Sequence, residues 1–302
     1  VCMTFGYIFL ENTSEITKPK IDYLSILLST VGFAGFIFTV SSVGTVQTLP
    51  LVIIFGFSLI SLFLFAKRQL ALKEPLLELR SFKHPVFTIG VLLIVIMQML
   101  QFSMSIIIPM LLQNGMNTSS FASGIALLPA ILVMAILTPF VGKLYDKIGG
   151  KILISVGFAI ICISAFILSR ITPQTSITTI TIIYCFICIG IAMSMSTSQT
   201  SALNELPHKN QADGVAILNT SMQLAGAFGS ALYLGIMTAY QNSYLNNAQK
   251  TNNSANQINA LYNGFAHSLT VAAIILAIGF ILTLKLKHDT KNIIGEEAQV
   301  HS

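Results

Sequence analysis

The stretch Val86–Leu111, VFTIGVLLIVIMQMLQFSMSIIIPML, decides the fold. It carries no Asp, Glu, Lys, Arg or His, and its polar members are neutral amides and hydroxyls. About 20 apolar residues in a helix cross the ~30 Å hydrocarbon core of a bilayer, so this segment is predicted to span a membrane. Working outward, seven more stretches read the same way: Ile26–Ser42, Leu49–Ala66, Phe121–Val141, Ile152–Leu168, Ile177–Met195, Val215–Tyr240 and Leu269–Leu284. The composition agrees, with 54% hydrophobic and 9% charged residues, too little charge for the surface of a soluble domain. The expected fold class is all-α, a polytopic membrane protein of eight spans. Val1–Leu10 is also apolar but too short to cross alone, and it reads as the end of an earlier helix. No basic segment precedes it, so it does not have the form of a cleaved signal peptide.

The basic residues give the orientation. With Glu11–Ile21 placed in the cytoplasm and each span crossing once, 14 of the 16 Lys and Arg fall inside, and Arg170 and Lys250 fall outside. Such an excess of cytoplasmic Lys and Arg sets the orientation of membrane proteins, so both ends of the chain are expected inside. The acidic residues fall on the same side. The formal charge of +5 is therefore a topology signal, and no dense basic groove suggests a nucleic-acid partner.

The spacing divides the chain. Two spans within 23–66 form a tight pair around the turn Thr45–Thr48. A charged amphipathic linker occupies 67–85, six spans fill 86–284, and 285–302 is a polar tail. Gln241–Ala266 is rich in Asn, Gln and Ser, and is expected to be a flexible outer loop without a binding site. Cys185 and Cys188 make a CxxC on an apolar helix, without further Cys or His at ligand spacing, so no metal site is expected. The five His residues are read as lying in loops or tails. No Ser/His, paired-Asp or metal-ligand set lies within the spans, and neither a catalytic residue nor a cofactor is expected.

Neutral polar residues in the spans carry the functional interest. Gln98 and Gln101 share a helix face, as do Asn219 and Gln223, and Gln199 lies in a polar run from Ser194 to Ser201. In hydrocarbon an amide must find a partner or face a wet cavity, so these five residues either bond between helices or line a path. Gly226 and Gly229, with Ala225 and Ser230, put small residues on one face and permit close helix contact.

The sharpest local pattern is Gly142-Lys-Leu-Tyr-Asp146-Lys147-Ile-Gly149-Gly150-Lys151, expected as a short cytoplasmic turn. Gly149 and Gly150 tolerate unusual dihedrals there. Asp146 is placed to pair with a Lys or accept from a helix start, forming a latch. This stretch resembles the loop motif of the major facilitator superfamily. Leu127-Leu128-Pro129 and Thr138-Pro139 before it, Asp22-Tyr-Leu-Ser25 and Arg68-Gln69-Leu70 upstream, and Asn219-Thr220 with Gln223, Gly226 and Gly229 downstream resemble its 14-span drug:proton antiporter branch. Ala130 and Ser230 depart from the usual Gly and Thr, both small-for-small exchanges.

The resemblance implies a C-terminal six-helix bundle (86–284) preceded by two extra central helices, with 1–22 as the end of a sixth helix and its connector. It implies a gating loop at Gly142, Asp146, Lys147, Gly149 and Lys151, and helix packing at Pro129, Pro139, Gly226 and Gly229. It further implies export of amphipathic toxic compounds across a plasma membrane in exchange for protons. The partners would be membrane lipid, an amphipathic small-molecule substrate and an N-terminal bundle holding the coupling carboxylate, without which the chain would not transport. The other reading is a non-transporting scaffold, assembly subunit or degenerate remnant.

Overall fold

The computed structural model describes residues 22–42, 48–72, 75, 77–247 and 254–286. The Val1–Leu10 stretch, the connector before Asp22, most of the turn around Thr45 and the tail lie outside them. Among the described residues there are eight long helices and no strands. They are α1 (Tyr23–Ser41), α2 (Thr48–Ala71), α3 (Pro85–Gly115), α4 (Ser120–Ile148), α5 (Gly150–Leu168), α6 (Ile177–Asn204), α7 (Gln211–Asn247) and α8 (Ser254–Leu284). All eight are long and apolar enough to cross a membrane.

Local chemistry places the ends. Ser119 and Ser176 cap α4 and α6, their hydroxyls accepting from Ala122 N and Thr179 N at 3.2 Å. Pro85 opens α3, where a missing N–H costs nothing. Gly149 takes φ +81°, and its N–H donates to Tyr145 O at 2.9 Å, so one residue closes α4 and α5 starts directly after it.

The helices outrun the apolar stretches. Gly142–Ile148 is helical, not a turn, and only Gly149 provides the break. Gly150 is buried as the first residue of α5. The Gln241–Ala266 loop contracts to 248–253 at most, because α7 continues to Asn247 and α8 begins at Ser254. Hydropathy marks where a helix is in hydrocarbon; backbone hydrogen bonding carries it past that boundary.

α3 forms the centre, with 61% of its apolar window buried, against 11% for α4. Leu93, Ile94, Met97, Leu100 and Ile107 of α3 are fully enclosed. Water does not drive helices together inside a bilayer, so close packing must hold the bundle. At Gly229 of α7 any Cβ would overlap the Met99 backbone, and at Gly226 it would meet the Phe102 ring at 2.9 Å. These contacts bring α7 against α3. α1 and α2 form their own antiparallel pair. Phe36 of α1 stacks on Phe55 at 5.7 Å and on Phe228 of α7 at 5.4 Å, which ties the pair to the bundle.

Candidate functional site

One end of the molecule gathers the termini that carry the charges. Tyr145 near the end of α4 meets Ser201 of α6 at 3.5 Å, and Ser155 of α5 donates to Thr283 of α8 at 2.9 Å. Gly214 of α7 lies against Leu206 and Phe87. At this basic end Asp146 and Lys147 are exposed and Lys151 is half-exposed. Among the described residues the ion pairs are Arg68–Asp22 and Arg80–Glu78, so Asp146 closes none. Gly142 has open space around it and Gly150 has little, with Ser201 Oγ 2.6 Å from where its Cβ would stand. Pro129 and Pro139 lie within α4 on exposed positions.

The ion pair at the head of α1 is well built. The Arg68 guanidinium donates from Nε to Asp22 Oδ2 at 2.8 Å and from Nη2 to Oδ1 at 3.0 Å, a bidentate match. Ser25 Oγ donates to Asp22 Oδ2 at 2.6 Å, and Gln69 Nε2 donates to Ser25 Oγ at 2.7 Å. Leu77 N then donates to Gln69 Oε1 at 3.2 Å, joining the linker to the same cluster. Arg68 first, and Ser25 next, hold the Asp22 carboxyl well below the usual carboxylate range. Asp22 therefore stays ionised at neutral pH. Sequence reading named Asp22 and Arg68 but not their contact. A signal was present, since the two stand equally far from Thr45 at the turn of the pair.

Within the spans the five amides fall into three situations. Gln98 and Gln101 lie on consecutive turns of α3, and the Oε1 of each is buried without a hydrogen-bond partner. Gln199 of α6 donates from Nε2 to Met222 Sδ of α7 at 3.5 Å, a weak bond between two helices. Asn219 and Gln223, one turn apart on α7, are exposed. The structure thus brings Gln98 near Gln101 and Asn219 near Gln223, and it ties Gln199 to α7 through sulfur. An unpartnered buried carbonyl costs about 1–3 kcal/mol, so the two α3 amides call for a donor from a ligand, water or another chain segment.

Among the described residues Lys, Arg, Asp and Glu stand mostly in helix end turns or the segments between helices. His267 lies inside α8 and not in a loop, half-buried and stacked on Tyr240 of α7 at 4.0 Å. Its Nδ1–H donates to Asn263 O at 2.9 Å, the oxygen one turn back. The polar residues before His267 look like a loop by hydropathy, yet they form the first turns of α8. Cys185 and Cys188 of α6 are free thiols.

Bundled spans around a buried central helix, with amides in the spans and charges gathered at one end, define a polytopic helical membrane protein. Residues 33–230 match the family profile of the Major Facilitator Superfamily, and the chain belongs to that family. It is 38% identical over 292 residues to the lincomycin resistance protein LmrB of Listeria innocua, covering 95% of this chain and 61% of that protein. The Bacillus subtilis protein of the same name is 38% identical over 93% of this chain and 60% of its own length. The riboflavin transporter RibZ of Clostridioides difficile is 25% identical over 77% of this chain and 50% of its own. The chain thus spans about three fifths of the LmrB proteins. Among solved structures, an inward-facing bacterial homologue of the human lysosomal transporter Spinster shares the fold, with a TM-score of 0.55 at 15% identity over 85% of this chain and 64% of that one.

Proposed function

We propose that this chain is part of a secondary active transporter of the plasma membrane that exports drugs or other amphipathic toxic compounds in exchange for protons. In this reading α3–α8 is the C-terminal bundle, α1 and α2 are the two extra central helices, and an N-terminal bundle completes the substrate path. The observation that carries it is the pair of buried, unpartnered amide oxygens at Gln98 and Gln101. Such acceptors on a central helix suit a polar donor that arrives and leaves, which a permanent interhelical bond would not leave open. Asn219 and Gln223, exposed on α7, and Gln199 on α6 would extend the same wall.

The Gly142–Lys151 segment supports the gate. Its charges close no ion pair among the described residues, so Asp146 and Lys147 remain open to partners across the bundle interface. Alternating access then consists of one bundle rocking against the other about a fixed central site. The proton-coupling carboxylate is assigned to the N-terminal bundle.

The test is export from inverted membrane vesicles by the complete transporter. Lincomycin, which names the LmrB relatives, is the first compound to try. Gln98→Leu/Gln101→Leu is expected to lower gradient-driven export about tenfold or more while folded yield stays level, since two ligand hydrogen bonds are lost and two orphaned acceptors are removed. Unchanged export would overturn the assignment. In proteoliposomes the 302-residue chain alone is expected to give no gradient-dependent flux, and flux from it would sink the half-transporter reading.

A further inference from the structure

A cavity of about 640 Å³ opens at the end of the molecule opposite the charged turns, between the ends of α3 and α7 and the start of α8. Its polar lining among the described residues consists of five side-chain amides: Gln113 and Asn114 in the last turn of α3, Asn117 just after it, Gln241 of α7 and Gln257 of α8. Among the described residues no ionisable side chain belongs to the lining. The volume falls within the roughly 300–1,000 Å³ of small-molecule sites.

The height of this cavity follows from helix geometry. Gln113, Gln241 and Gln257 stand about 40–45 Å along their helices from the charged end, at 1.5 Å per residue. The hydrocarbon core is only about 30 Å thick, so the amides meet at one level beyond it, in the polar layer.

The amides are open for binding. Gln113 Oε1 accepts from Ser120 Oγ at 3.1 Å, which holds its carbonyl and leaves its NH2 free. Among the described residues no hydrogen bond engages the side-chain amides of Asn114, Asn117, Gln241 or Gln257. Asn117 takes φ 53°, the left-handed conformation that Asn tolerates, as the chain turns at the rim. Below it, Leu261 supplies an apolar floor. Tyr262 beside that floor packs its ring against Gly115 and keeps a buried hydroxyl without a partner.

We propose that this cavity is a binding site for a neutral, hydroxyl-rich small molecule of sugar size. Each primary amide offers an acceptor and two donors, and each alcohol offers a donor and an acceptor, so the two sets pair without any charge. A charged ligand would surrender hydration there without meeting a counter-charge among the described lining residues. The apolar floor takes the C–H face that a sugar ring presents. The site is separate from the Gln98/Gln101 wall, and its occupancy does not depend on the transport reading.

The test is saturation-transfer NMR on the 302-residue chain in lipid nanodiscs, with sucrose as the probe and glucosamine and gluconate as charged counterparts. Saturation of sucrose is expected well above protein-free nanodiscs and above either charged sugar. Gln113→Leu/Gln257→Leu is expected to reduce it at least about fivefold, as two hydrogen-bonding groups are removed. Asn246→Leu, an exposed amide of α7 outside the cavity, is expected to leave it unchanged. Gln113→Glu/Gln257→Glu keeps the shape and should shift the preference from sucrose to the cationic glucosamine. No sucrose signal above empty nanodiscs would overturn the site, as would a signal that survives the double Leu substitution or a preference unmoved by the Glu pair.

Discussion

Two aspartates at the same end of this molecule have opposite fates. Asp22 heads α1 and is gripped by Arg68 in a bidentate pair, with Ser25 and Gln69 completing the cluster. Asp146, near the end of α4, has Lys143, Lys147 and Lys151 close in sequence and closes no ion pair among the described residues. Closeness along the chain is a poor guide to pairing: Lys143, three residues back on the same helix face, closes no ion pair with Asp146. Lys147 follows Asp146 directly and points about 100° away around the axis, at 3.6 residues per turn, and Lys151 lies beyond the break at Gly149. Arg68 arrives from a separate antiparallel helix and presents its fork to the carboxylate. The first arrangement clips two helices together, and the second leaves charge free at a bundle edge.

The largest expected effect breaks the clip. Asp22→Ala strips Arg68 and Ser25 of their acceptor, so amide hydrogen exchange at the start of α1 should speed up about tenfold or more as this end opens. Asp146→Ala should change exchange at the end of α4 by less than about twofold. Equal responses would erase the distinction between the two sites.

A smaller effect sharpens the contrast. Gly142 is helical with no neighbour within 4 Å of a Cβ, so Gly142→Ala should raise thermal stability by about 0.5–1 kcal/mol. If export falls while stability rises, flexibility at the end of α4 serves the gate. Export that stays level would assign Gly142 no part in it.

The smallest effect is confined to acid. Asp22 is held low in the folded protein, so its contribution is fully present above the unfolded value of about 3.9 and fades as pH falls through the lowered one. Protection at the start of α1, taken relative to the intrinsic exchange rate at each pH, should be insensitive to the clip's protonation between pH 7 and 5, and should fall below about pH 4. Asp22→Asn should remove that acid-dependent step. A step that persists in this variant would place the titrating group elsewhere.

The eight spans were legible because hydropathy and helical period are properties of consecutive residues. Val86–Leu111 announces α3 without reference to any other segment, and the pairing of Gln98 with Gln101 on one face follows from the same period. Helix ends were less legible, as α7 and α8 show, because a polar sequence can leave the hydrocarbon and remain helical. Partnership was out of reach of local pattern. Whether the Gln98 oxygen is satisfied depends on what neighbouring helices present to it, and the cavity of Gln113, Gln241 and Gln257 exists only where three helix ends meet. Those meetings are set by close contacts such as Gly229 on Met99, between residues far apart in the chain. The local free energy of entering the bilayer chose the segments, while side-chain shape between segments chose which polar groups were paired and which were left open.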